Sequence, residues 1–125
     1  MWILARDPVV ASSMAEAGFD PTREDPGPAD YVLTWSERAT EYDADFPLWW
    51  AQLGLRRLRY DDVDGARSAA ERGVELQPNH ITSWQVLRIV AQRTDDDELL
   101  ALADEVLCRF DLGPCAGEAS SPITP

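Results

Sequence analysis

Apolar residues recur at steps of three and four along most of the chain, a spacing that predicts helices and not strands. The longest stripe is Leu99, Leu102, Ala103, Val106, Leu107 and Phe110. Val32, Trp35 and Ala39 mark a second face, on a helix from Ala29 to Tyr42. Trp50, Leu53, Gly54 and Arg57 line one side of a third helix, from Pro47 to about Tyr60. An acidic turn follows. Beyond it Ala66, Ala70 and Gly73 keep one helix face small, which lets two helix axes approach to roughly 8–9 Å.

Capping and breaking residues set the boundaries. Asp7-Pro8 opens a short helix to Ala17, and Gly18 ends it. Asp20 to Pro28, with three prolines and a glycine, is expected as a loop. Asn79 is a candidate cap for the helix carrying Trp84 and Leu87. Asp95 with Glu98 three residues on has the form of a capping box for the last helix. Gly113-Pro114 ends the helical part. The expected organisation is therefore residues 1–28 as short helix and proline-rich loop, 29–114 as a helical repeat domain, and 115–125 as a disordered tail.

A period of thirty-four residues runs through this pattern: Trp50 maps onto Trp84, Leu53 onto Leu87, Ala39 onto Gly73 and Ala44 onto Pro78. The order and spacing of Trp50, Leu53, Gly54, Ala66, Ala70 and Pro78 resemble one tetratricopeptide (TPR) repeat. The resemblance covers residues 47 to 114, and more weakly 29 to 46. It departs from the family at Arg57, where tyrosine is usual. It departs again at Arg88, which stands where Gly54 stood, and at Pro114, two residues late. The implied fold is all-α, with antiparallel helical hairpins stacked as a short right-handed superhelix. About three hairpins are needed to cover the apolar faces of such a stack. Met1 to Phe46 would have to supply the third, unless a second subunit or a preceding segment does.

Composition narrows the function classes. The chain has 125 residues, a net charge of -12 and a pI near 4.3. Such a charge repels phosphate backbones and anionic membrane surfaces, which argues against nucleic-acid and lipid binding. The opening MWILARDP is too short an apolar run to span a bilayer, so no membrane insertion and a cytoplasmic location are expected. Cys108 and Cys115 lack CxxC spacing, and they are read as a buried thiol and a loop thiol.

No chemistry-bearing motif emerges. Asp62, Asp64, Gly65 and Glu71 fall at calcium-loop spacings, but the first ligand position is Tyr60. They also fit the acidic start of a helix, as do Asp95, Asp96, Asp97 and Glu98. His80 has no second histidine or nearby cysteine in sequence to make a metal set with it. The sequence holds no phosphate loop, nucleophile elbow or zinc-protease signature. No enzyme, catalytic residue, metal or cofactor is expected.

What remains is a surface. The resemblance implies that the first helix of each hairpin lines a concave groove. The residues placed there are Leu48, Ala51, Gln52, Leu55, Leu58 and Arg59, then Thr82, Gln85, Ile89, Gln92 and Arg93. Family members that clamp a terminal carboxylate use lysine and asparagine, where this chain has Ala51, Leu55 and Val86. Arg59 and Arg93, thirty-four apart and with Arg56 and Arg57 nearby, can bind carboxylates through their planar forks, so a protein or peptide with acidic side chains is the expected partner. Self-association through an uncapped repeat end is a further expectation. Trp49 lies about 100° around the helix from Trp50. It either covers the preceding helix near Trp35 and Tyr42 or stands exposed as an anchor. The expected function is a non-catalytic binding scaffold. The alternative that resemblance suggests is the soluble C-terminal repeat part of a larger bacterial membrane protein of the O-antigen-ligase-like kind.

Overall fold

The computed structural model describes residues 7–18 and 28–112. The loop expected up to Gly27, the apolar start and the tail from Cys115 lie outside the described residues. Within them every regular element is a helix: α1 (Pro8–Gly18), α2 (Ala29–Tyr42), α3 (Pro47–Arg59), α4 (Val63–Leu76), α5 (Ile81–Thr94) and α6 (Asp97–Cys108).

Local chemistry explains most of the ends. Pro47 sits in the first turn of α3, where its missing N–H would have had no partner. The Asp62 carboxylate accepts from Gly65 N–H at 2.9 Å and caps α4. Two caps differ from the expectation. The cap of α5 is His80, not Asn79, its ring accepting from Ser83 N–H. The cap of α6 is Asp96, which accepts from Leu99 N–H at 3.1 Å, not Asp95. Asp95 closes α5 instead, in the left-handed region at φ 55°. Aspartate tolerates that conformation, so adjacent aspartates divide the work of ending one helix and starting the next.

Consecutive helices pack as three hairpins, α1 on α2, α3 on α4 and α5 on α6. The hairpins stack through α2 on α3, α4 on α5 and α3 on α5. Thus α1, which carries no repeat signature, supplies the missing hairpin and seals Ala11 and Ala15 in the interior. The thirty-four-residue period recurs in backbone hydrogen bonds. Asp43 N–H donates to Ala39 O as Gln77 N–H does to Gly73 O, and Asp62 N–H donates to Arg57 O as Asp96 N–H does to Ala91 O. The left-handed residues Asp61 and Asp95 keep the same register. So do two indoles: Trp50 Nε1 donates to Ala44 O at 2.9 Å and Trp84 Nε1 to Pro78 O at 2.7 Å.

The main core joins the second and third hairpins through Leu58, Ala66, Ala70, Trp84, Leu87, Val90 and Leu107. A smaller one gathers Trp49 with Ala11 and Ala39, flanked by Trp35, Tyr42 and Leu48. Trp49 is thus the buried cover over α2, and the exposed-anchor alternative is set aside. The period-related Leu53 and Leu87 are both fully buried, each contributing about 2 kcal/mol of transfer free energy.

Two of the three departures, Arg57 and Arg88, have structural counterparts among the described residues. The Arg57 guanidinium donates to Gly65 O at 3.0 Å and to Glu37 Oε2 at 3.2 Å, tying α2, α3 and α4 together. Gly54 is small because a Cβ there would meet Ala66 O at 3.2 Å and Val86 Cγ1 at 3.1 Å. One period on, Gly54 and Ala70 become Arg88 and Asp104, which pair at 2.6 Å. The last hairpin replaces a close small-residue crossing with an ion pair.

The tightest crossing is at Gly73, where an added Cβ would overlap the Ser83 hydroxyl and stand 3.0 Å from Ser83 Cβ. Helix propensity alone favours Gly→Ala by about 1 kcal/mol, whereas overpacking costs about 1–3 kcal/mol. Gly73→Ala is therefore expected to lower the melting temperature followed by circular dichroism; a higher one would show that the crossing has slack.

Candidate functional site

The stacking sets α1, α3 and α5 beside one another. The α3–α5 contact is direct, and α1 reaches α3 through two side-chain bonds: Ser12 Oγ donates to Gln52 Oε1 at 2.7 Å, and Arg56 Nη2 donates to Glu16 Oε1 at 3.0 Å. Both partners in each helix are four residues apart, so one face of α1 meets one face of α3.

Of the residues assigned to the groove, Leu55, Arg59, Gln85, Gln92 and Arg93 are exposed on α3 and α5, and Gln52 and Thr82 are half-buried. Leu48 and Ile89 are half-buried and pack against the two cores. Ala51 and Leu58 are corrections. They are 0% and 4% exposed, because α5 packs directly on α3 and Leu58 joins Trp84 and Val90 in the core. Arg93 is tied down at one end of this face, donating to Leu58 O at 3.1 Å with Asp61 Oδ1 at 3.8 Å.

Two cavities lie along α1 and α3. One of about 370 Å³ is bounded by Val9, Ser12, Ser13, Glu16, Ala17 and Trp49, the other of about 230 Å³ by Glu16, Gln52, Leu55 and Arg56. Sequence reasoning placed Gln52 and Leu55 on the groove and Arg56 near it, but missed the α1 wall and the burial of Arg56 against it. The signal was present: Trp49, Leu53 and Arg56 follow at steps of four and three, which puts Arg56 on the buried side of α3. Arg56 is 4% exposed, and its guanidinium also donates to Ser36 Oγ at 3.2 Å. Ser36 in turn donates to Val32 O at 2.8 Å. Trp49 Nε1 is the one buried side-chain nitrogen or oxygen among the described residues without a hydrogen-bond partner.

Other candidates resolve into structural roles. Asp62 and Asp96 are helix caps, and among the described residues no three His, Cys, Asp or Glu side chains converge as a metal site. Cys108, expected as a thiol, is disulfide-bonded. Spacing alone did not reveal this, because the chain reverses just after it: Asp111 is left-handed at φ 59° and Leu112 N–H returns to Leu107 O. Cys115 lies outside the described residues. None of the described helices is long and apolar enough to cross a membrane.

Among known proteins, neither a family model nor a curated sequence matches the chain.

His80 is a cap with a pH dependence. Its Nδ1 lies 2.8 Å from Ser83 Oγ and accepts at the N-terminus of α5, a role that needs the neutral ring. Burial lowers its pKa below the usual 6.5. The unfolded chain therefore binds a proton that the folded chain does not, so this contribution to stability is intact above pH 6.5 and is lost as pH falls towards the folded pKa. Urea unfolding is expected to show wild type losing stability relative to His80→Asn, which keeps a capping acceptor, as pH drops from 7.5 to 5.5. Parallel curves for the two proteins would contradict this.

Proposed function

We propose that this chain is a non-catalytic scaffold, similar to a short tetratricopeptide-repeat domain, that binds a protein or peptide on the face shared by α1, α3 and α5. The observation that carries the reading is the contrast between that face and its support. Leu55, 37% exposed, and the uncharged Gln85 and Gln92 stand open on helices whose turns are fixed by repeated hydrogen bonds. A rigid scaffold that presents adaptable side chains orders little of itself on binding, so more of the contact free energy appears as affinity. In a molecule of net charge -12, the α3 and α5 part of this face is populated by amides, aliphatic groups and arginines. Acidic side chains of a partner would meet Arg59 and Arg93, the latter 43% exposed in its side chain despite its ties.

Leu55→Asp combined with Gln85→Asp places two charges on this face without touching the core. Affinity for a partner isolated on the wild-type chain is expected to fall at least ~10-fold, an order set by the loss of one or two contact residues. Ser68→Asp, on the exposed side of α4, is expected to bind as wild type does. All three proteins should melt alike. Equal loss in both variants, or none in either, would place the binding elsewhere.

A further inference from the structure

The groove between α1 and α3 contains a charge that is buried and a counter-charge that is not. The Arg56 side chain is 5% exposed, whereas its partner Glu16 is 71% exposed. A guanidinium stays ionised at any physiological pH, so the folded chain is stabilised by an anion beside Arg56, without requiring one to fold. The carboxylate that supplies it stands mostly in water, at the common wall of the two cavities. Exchanging one carboxylate for another at such a position leaves the buried charge compensated throughout.

The geometry points to Arg56 as the docking point for a carboxylate carried by a partner segment, with Glu16 as the resident carboxylate that it displaces and an aliphatic side chain of that segment lodged beside Leu55. The inference rests on the scaffold reading above and names the chemistry that its α1–α3 part selects. Three features suit a carboxylate attached to an aliphatic group. Arg56 makes one hydrogen bond to Glu16 and one to Ser36 through separate nitrogens, which leaves part of its five-donor fork for a bidentate anion. The cavity around it of about 230 Å³ has room for a carboxylate and a small aliphatic group. Gln52, which accepts from Ser12, keeps its amide N–H₂ as a further donor at the same wall. The molecule's net charge of -12 acts over a distance at which physiological salt screens it, about 8 Å, whereas the Arg56 contact is made inside that length.

The test is an NMR titration of the full chain with N-acetyl-leucine, N-acetyl-leucinamide and leucinamide, following the side-chain resonances of Arg56 and the indole of Trp49. Glu16→Gln removes the competing charge and keeps the shape. It is expected to bind N-acetyl-leucine ~10-fold more tightly than wild type, the factor by which a site occupied about nine-tenths of the time by its own side chain is weakened. The neutral amide should bind neither protein. Adding Arg56→Gln to Glu16→Gln should abolish binding, with circular dichroism confirming that the double variant is folded. Equal binding of acid and amide, equal affinity in wild type and Glu16→Gln, no saturation in either, or preference of wild type for the cationic leucinamide would each overturn the assignment. The titration needs no natural partner, so its failure removes the carboxylate site while the Leu55 and Gln85 experiment still stands or falls separately.

Discussion

An indole N–H that reaches back six residues to a backbone carbonyl governs how each hairpin follows the one before. Trp50 makes this bond to Ala44 and Trp84 makes it to Pro78, at the same point of two successive turns. Each bond is worth only about 1 kcal/mol net, yet it fixes the direction in which α3 and α5 leave the turn. With that direction repeated, Gly73 can cross Ser83 at near contact, α5 can lie along α3 as well as α4, and the core between the hairpins can close. A shared face of α3 and α5 exists because these two turns are alike.

Substitutions that disturb the repeat are compensated where they occur. A small residue suits position 54 because α3 is pressed between Ala66 of α4 and Val86 of α5. The corresponding Arg88 lies on α5, where its side chain finds Asp104 of α6. Arg57 holds three elements through a backbone carbonyl and two carboxylates. Ionic contacts at half-exposed positions stabilise less than close packing does, since solvent screens them. Their value here is geometric, in holding adjacent helices in register.

How much of this was legible follows from the kind of signal involved. Helix extents were, because apolar periodicity and Pro47 are local properties: the α2 range is as expected, and α3 ends one residue early. The caps were less so, since the run Asp95-Asp96-Asp97 offers three chemically equal candidates and only backbone conformation selects among them. Membership of α1 in the stack could not be read from periodicity. Its bonds to α3 span forty residues, Ser12 to Gln52 and Glu16 to Arg56, and not thirty-four. For the same reason the α1 wall of the groove went unseen. Arg56 stood in a run of arginines, and although its steps from Trp49 and Leu53 put it on the buried side of α3, its partner Glu16 lies on a helix whose place in the stack carried no periodic signal. Ala51 and Leu58 were misplaced because the groove assignment treated α3 as if α5 did not lean on it.

The face shared by α1, α3 and α5 is held by the stack and carries the exposed Leu55, Gln85 and Gln92. Hydrogen–deuterium exchange of the chain, alone and saturated with an isolated partner, tests its role most directly. Protection on binding is expected to concentrate in α1, α3 and α5, with α2, α4 and α6 unchanged. Protection confined to α2, α4 and α6 would contradict it.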